Sequence, residues 1–265
     1  MKALAYPELP AAARPRWPAW MAPAAFFSAL GLTIAAGFPL LPVALLTEAP
    51  DAVAGIALLV LILVQDAALV GLAVFFAARR VKPQPWHFGL RATGFWVTAG
   101  LALAAGLLVL GLEVGIFELF NTDTPEDELA ATSPVGAIAV GLAVIVVAPV
   151  TEELFFRGFF YRALRTRFRI WSAVLIDSAV FAVIHIQYIG NPEIFIVIAA
   201  FAAMACLVYE KTGSIFACIA IHAAFNTVAS LGSFPVVAIV IGVLVLVACV
   251  LVPRRLGPQP SPFPA

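Results

Sequence analysis

Apolar residues in this chain come in long blocks, about twenty or more at a time, separated by short polar breaks. A hydrocarbon core about 30 Å thick needs roughly 20 apolar residues per helix. On that measure the pattern predicts eight spans, over 24–47, 53–78, 93–120, 134–164, 170–190, 192–210, 213–232 and 234–252. The fourth is too long for an upright crossing, so it is expected to tilt or to extend into the cytosol. Ser133-Pro134 reads as an N-cap followed by proline at the first helical position, which starts span four there. The expected fold is all-α and polytopic, with the helices around a buried polar cavity.

Composition agrees with a lipid solvent. The 265 residues are 63% hydrophobic and 11% charged, against about 45–50% and about 25% in soluble domains. A soluble single-core protein is thereby excluded. Net charge is zero, so it identifies no acidic or basic partner, and no nucleic-acid role is expected. The distribution of charge is more telling. Lys2, Arg14 and Arg16 precede span one, and Arg79, Arg80, Lys82 and Arg91 lie between spans two and three. Arg162, Arg165, Arg167 and Arg169 follow span four, Lys211 follows span six, and Arg254 and Arg255 follow span eight. Glu48, Asp51, Asp123, Glu126, Asp127, Glu128 and Glu193 occupy the opposite loops. Cytoplasmic loops carry the Lys and Arg excess, so both termini are expected to be cytoplasmic in a multi-pass protein of the cell membrane. Trp17, Trp20, Trp86, Trp96 and Trp171 fall near the same ends, where indole rings favour the headgroup level.

The whole chain, 1–265, reads as one integral membrane domain. It has a cytoplasmic segment 1–22, a motif-bearing core 134–232 and a proline-rich tail 253–265 expected to be disordered. No cleaved signal peptide is expected. Cys206, Cys218 and Cys249 lie in apolar runs and read as small buried thiols. Gly111 and Gly115 form a GxxxG on span three, read as ordinary close helix packing, with a homodimer interface as the weaker alternative.

Three motifs break the apolar pattern: Glu152-Glu153-x-x-x-Arg157, Phe181-x-x-x-His185 and His222-x-x-x-Asn226. Charge within a membrane costs several kcal/mol and persists where it is paired, hydrated or functional. At 1.5 Å per residue, Glu152 lies about 15–20 Å from the cytoplasmic end of its span, His185 about 22 Å and His222 about 14 Å. The three depths agree within about two helical turns, so the motifs can meet. Residues four apart share a helix face. Glu153 and Arg157 can therefore pair, leaving Glu152 free, and the Phe181 ring can wall the His185 imidazole. Pro149 has no N–H, so an α-helical reading leaves the Ile145 carbonyl short of a partner and kinks span four before the glutamates. Elsewhere, Gln65 and Asp66 read as bonding to neighbours, with a place in the cavity lining as the weaker alternative, while Glu113, Glu118 and Asp177 are expected to reach headgroups or water. His87 is expected at the interface.

A free carboxylate, two imidazoles and an amide in a half-dry pocket suit peptide hydrolysis. A carboxylate beside a histidine can take a proton from water, and a second histidine with an amide can stabilise an oxyanion. Glu152, His185 and His222 are equally the ligand set of a catalytic zinc site, so both schemes stay open. A non-catalytic peptide-binding or bacteriocin-immunity protein, and an ion-coupled transporter, are the rival classes. The lack of an internal repeat weighs against the transporter.

The three motifs, in this order, resemble those of the CAAX protease and bacteriocin-processing (CPBP, or Abi) family. Phe88-Gly89-Leu90 also resembles a family feature. The resemblance implies a membrane-embedded endopeptidase. In it Glu152 and His185 activate water, His222 and Asn226 stabilise the oxyanion, and Glu153, Arg157 and Phe181 support the site. It leaves the use of zinc open. The richness in Ala, Val, Leu and Pro points to a GC-rich prokaryote, where prenylated substrates are rare. The expected substrate is then a membrane-associated peptide or protein of unspecified lipidation.

Overall fold

The computed structural model describes residues 17–40, 51–120, 134–188 and 190–256. Lys2, Arg14, Arg16, Glu48, the acidic stretch 121–133 with its Ser133 cap, and the tail 257–265 lie outside these. The described residues form helices and no strand: α1 (Met21–Gly37), α2 (Asp51–Ala78), α3 (Phe95–Phe120), α4 (Pro134–Leu164), α5 (Ile170–Val183), α6 (Pro192–Thr212), α7 (Ile215–Ala229) and α8 (Pro235–Arg255). They fall where the eight apolar blocks predict. Five of them, α2, α3, α4, α6 and α8, are long and apolar enough to cross a membrane. The other three are shorter apolar helices: α1 has 17 residues, α5 has 14 and α7 has 15.

α7 is the centre of the bundle. It packs against α3, α4, α6 and α8, and every residue from Ile215 to Ala223 is buried. α1 packs on α2, α2 on α4, and α5 on α6. The outer faces of α3, α5 and α8 present bare Leu, Val and Trp side chains, as a lipid-facing surface requires.

α4 is not uniform. Its α-helical turns are interrupted by π turns at Ala143–Val147 and Phe156–Tyr161, on either side of the Ala148–Phe155 segment that carries both glutamates. α5 stops at Val183, seven residues before the predicted end of span five, so His185 sits just past the helix and not on it. The imidazole accounts for the stop. The His185 N–H turns to the Ala182 carbonyl at 3.0 Å, and the ring Nδ1 donates instead to the Phe181 carbonyl at 2.9 Å.

The α2–α3 link is stitched to the ends of α4, α6 and α7. His87 Nδ1 accepts the Gln84 N–H at 3.0 Å, Gly89 turns at φ +79°, and its carbonyl takes the Ile215 N–H at 2.8 Å. Ser214 Oγ donates to the Arg91 carbonyl at 2.6 Å, Tyr209 Oη to that of Phe88 at 3.3 Å, and Arg162 to those of Trp86 and His87. Phe88-Gly89-Leu90 is therefore a joint, and only glycine fits its middle: a Cβ there would lie 2.9 Å from the Gly213 carbonyl oxygen. Three residues are more enclosed than their sequence positions suggest. His87 is buried. Trp17 is fully buried, stacked on Phe88 and donating to the Phe159 carbonyl at 3.2 Å, so its ring faces protein. Arg162 is buried among carbonyls.

Gly111 and Gly115 do not mediate close packing within the bundle. A Cβ at either meets nothing within 4 Å among the described residues. The three cysteines are buried and free.

Candidate active site

Glu153 is the hub of the polar cluster. Its Oε1 accepts from Arg157 Nη1 at 2.9 Å and from His222 Nδ1 at 2.8 Å. The pairing with Arg157 comes directly from the four-residue spacing on α4. Arg157 has no exposed surface and is held from three more sides. Nη2 donates to the Ala202 carbonyl at 3.0 Å, Nε lies 3.8 Å from Asp177 Oδ1, and the guanidinium sits 4.6 Å over the Phe181 ring. Asp177 in turn accepts the Cys206 thiol at 3.1 Å. A buried cation is tolerable because two carboxylates and a carbonyl replace its water.

His222 occupies the step between this cluster and Glu152. Its Nδ1 faces a carboxylate that is already paired with a cation and can only accept, so Nδ1 carries the proton and Nε2 the lone pair. Nε2 lies 4.0 Å from Glu152 Oε2. That oxygen is buried without a hydrogen-bond partner. His185 is in the same tautomer, because the Phe181 carbonyl can only accept. Phe181 touches both imidazoles, its ring 5.1 Å from that of His185 and 5.8 Å from that of His222. Phe201 closes the other side of His222 at 4.7 Å.

Thus Glu152, Glu153, Arg157, Phe181 and His222 form one cluster, with His185 against the Phe181 ring. Asn226 follows His222 by one turn, but its amide is engaged: Nδ2 donates to the Val144 carbonyl at 2.7 Å. Among the described residues no three His, Cys, Asp or Glu side chains are grouped as metal ligands.

Two buried acids differ from their expected settings. Asp177 has no exposed surface and faces Arg157 rather than headgroups. Its signal was available, since 177, 181 and 185 continue one four-residue spacing. Asp66 is 2% exposed and faces Thr151 and Glu152, so it lies beside the site rather than only packing between helices.

Comparison with known proteins adds an independent line. A 24.3 kDa protein of Escherichia coli, itself uncharacterized, is 32% identical over 123 residues, covering 44% of this chain and 55% of that protein. The chain thus spans about half the length of the curated relative it matches. No solved structure matches. Residues 134–228, the stretch that bears all three motifs, match the family described as type II CAAX prenyl endopeptidase Rce1-like.

Proposed function

We propose that this chain is an intramembrane endopeptidase that hydrolyses a peptide bond of a membrane-associated peptide or protein. The observation that carries the reading is the pairing of Glu152 Oε2, unpartnered and buried, with His222 Nε2 4.0 Å away, backed by the Glu153–Arg157 pair. A water between the carboxylate and a carbonyl carbon would give one proton to Glu152 as its oxygen attacks. His222, with Glu153 behind Nδ1, is suited to receive a proton at Nε2. As an imidazolium it would then donate to the oxyanion or to the departing amine. When the C–N bond breaks, the amine leaves with the proton that the water gave to Glu152, passed directly or relayed through His222, so the carboxylate is restored for the next water while the second proton of the water goes with the new carboxylic acid. His185 presents its Nε2 lone pair as a second acceptor. The free N–H of the Asn226 amide is a further oxyanion donor. This scheme is written without a metal.

In this reading the eight helices span the cell membrane, both termini are cytoplasmic, and the substrate approaches from the bilayer or the cytoplasmic face. The substrate class is a hydrophobic or lipid-tethered peptide. Purified wild-type protein in liposomes should cleave quenched-fluorescent membrane peptides, and Glu152→Gln should abolish cleavage while leaving the melting curve in place. Undiminished turnover in Glu152→Gln refutes the reading. A wild type that binds peptides without cutting them is an immunity-type protein, and ion-coupled flux without cleavage is a carrier.

A further inference from the structure

The amide of Asn226 and the backbone of α4 fit each other in a way that gives Asn226 a second task, resting on the reading of this site as a peptidase. In an α-helix the Val144 carbonyl would accept from the Ala148 N–H. The π turn at Ala143–Val147 takes that donor away, because the Ala148 N–H bonds to the Ala143 carbonyl. In a π turn the donor five residues on would serve instead. Five residues on from Val144 is Pro149, which has no N–H. The Val144 carbonyl has therefore lost both backbone donors, and a carbonyl left bare at this depth costs free energy comparable to a lost hydrogen bond or more. Asn226 Nδ2 fills the gap at 2.7 Å. In π register the missing N–H of Pro149 falls on Val144.

We propose that Asn226 is a positioning residue. It fastens α7 to the orphaned Val144 carbonyl of α4 and so sets the reach between His222, one turn earlier on α7, and Glu152, two turns later on α4. The π turn, the proline and the asparagine act as one device. The first two expose an acceptor, and the third uses it to hold two helices in register next to the reacting groups.

A double-mutant cycle with Pro149 tests this. Pro149→Ala returns an N–H at position 149 that can serve Val144 in place of the side chain. Asn226→Ala alone should lower kcat about 100-fold through misplacement of the paired groups, with a smaller change in KM. In the Pro149→Ala background the same substitution should cost about tenfold or less. Melting temperatures in detergent should show the same pattern, with a larger drop for Asn226→Ala when proline is present. An Asn226 loss of equal size in both backgrounds, in rate and in melting, overturns the proposal and leaves only the oxyanion role. If Asn226→Ala does not fold alone, folding of the double variant supports the proposal. Failure of the double variant where Pro149→Ala folds overturns it. A wild type without peptidase activity would end the functional reading, yet the melting cycle would still decide the fastening.

Discussion

Glu152 and Glu153 are adjacent and chemically identical, yet their surroundings are opposite. Glu153 spends its charge on Arg157 and on fixing the tautomer of His222, whereas Glu152 keeps an oxygen free beside Nε2. Glu153→Gln keeps the acceptor but removes the charge behind the imidazole, so kcat should fall roughly tenfold or more while the protein still folds. Peptide turnover of the detergent-purified variant checks this, and an unchanged kcat would count against the dyad. Arg157→Met should be much harsher. It leaves Glu153 and Asp177 buried without their cation and should cost about 3–5 kcal/mol, read from unfolding in mixed micelles. Asp66 has the reverse profile. Its carboxylate is buried close to the acidic Glu152 and has no cation beside it as Glu153 has, so Asp66→Asn should raise the melting temperature by the equivalent of about 1 kcal/mol. A fall would mean that the carboxylate has a stabilising partner after all.

Among the elements, α4 and α5 show what the chain makes legible and what it hides. The Glu153–Arg157 pair, the Phe181–His185 ring contact and the apolar block of each helix follow from spacing alone. The two π turns do not, because a one-residue change of helical phase leaves no mark on hydropathy. Nor does the early end of α5, which depends on a ring nitrogen taking the place of a backbone N–H at Phe181. Glycines mislead in a similar way. The GxxxG of α3 looks like a contact, but its face is open, so Gly111→Ala should stabilise the helix by roughly 0.5–1 kcal/mol in a thermal melt. Gly158 belongs to no familiar pattern, yet a Cβ there would stand 3.1 Å from the Phe88 carbonyl oxygen. Gly158→Ala should therefore lower the melting temperature, by disturbing the joint at Phe88-Gly89-Leu90.

For the molecule as a whole, the alternation of basic and acidic loops argues the proposed orientation. Thr166→Cys should react with a membrane-impermeant maleimide only from the cytoplasmic side, and Gly190→Cys only from the other. The native thiols are buried and should stay silent in the folded state. Labelling of both positions from one side would reverse the topology. Long-range relations were the least visible part of the chain. Trp17 seated on Phe88 and Phe159, and Arg162 held by the carbonyls of 86 and 87, join segments about 70 to 140 residues apart, and one-dimensional patterning assigns such groups to the surface by default.

The shortness of α5 has a consequence for the lipid. Fourteen residues make a rod of about 21 Å, against a hydrocarbon layer of about 30 Å. In the proposed topology, with α5 as a crossing, the leaflets along the exposed flank of Trp171, Leu175 and Val183 would pinch inward or headgroups would sink to cover the difference, bringing water toward the level of His185. Acyl-chain length then becomes a throttle on turnover: liposomes of short-chain phosphatidylcholine should support faster cleavage than long-chain ones, with the same peptide and the same amount of enzyme.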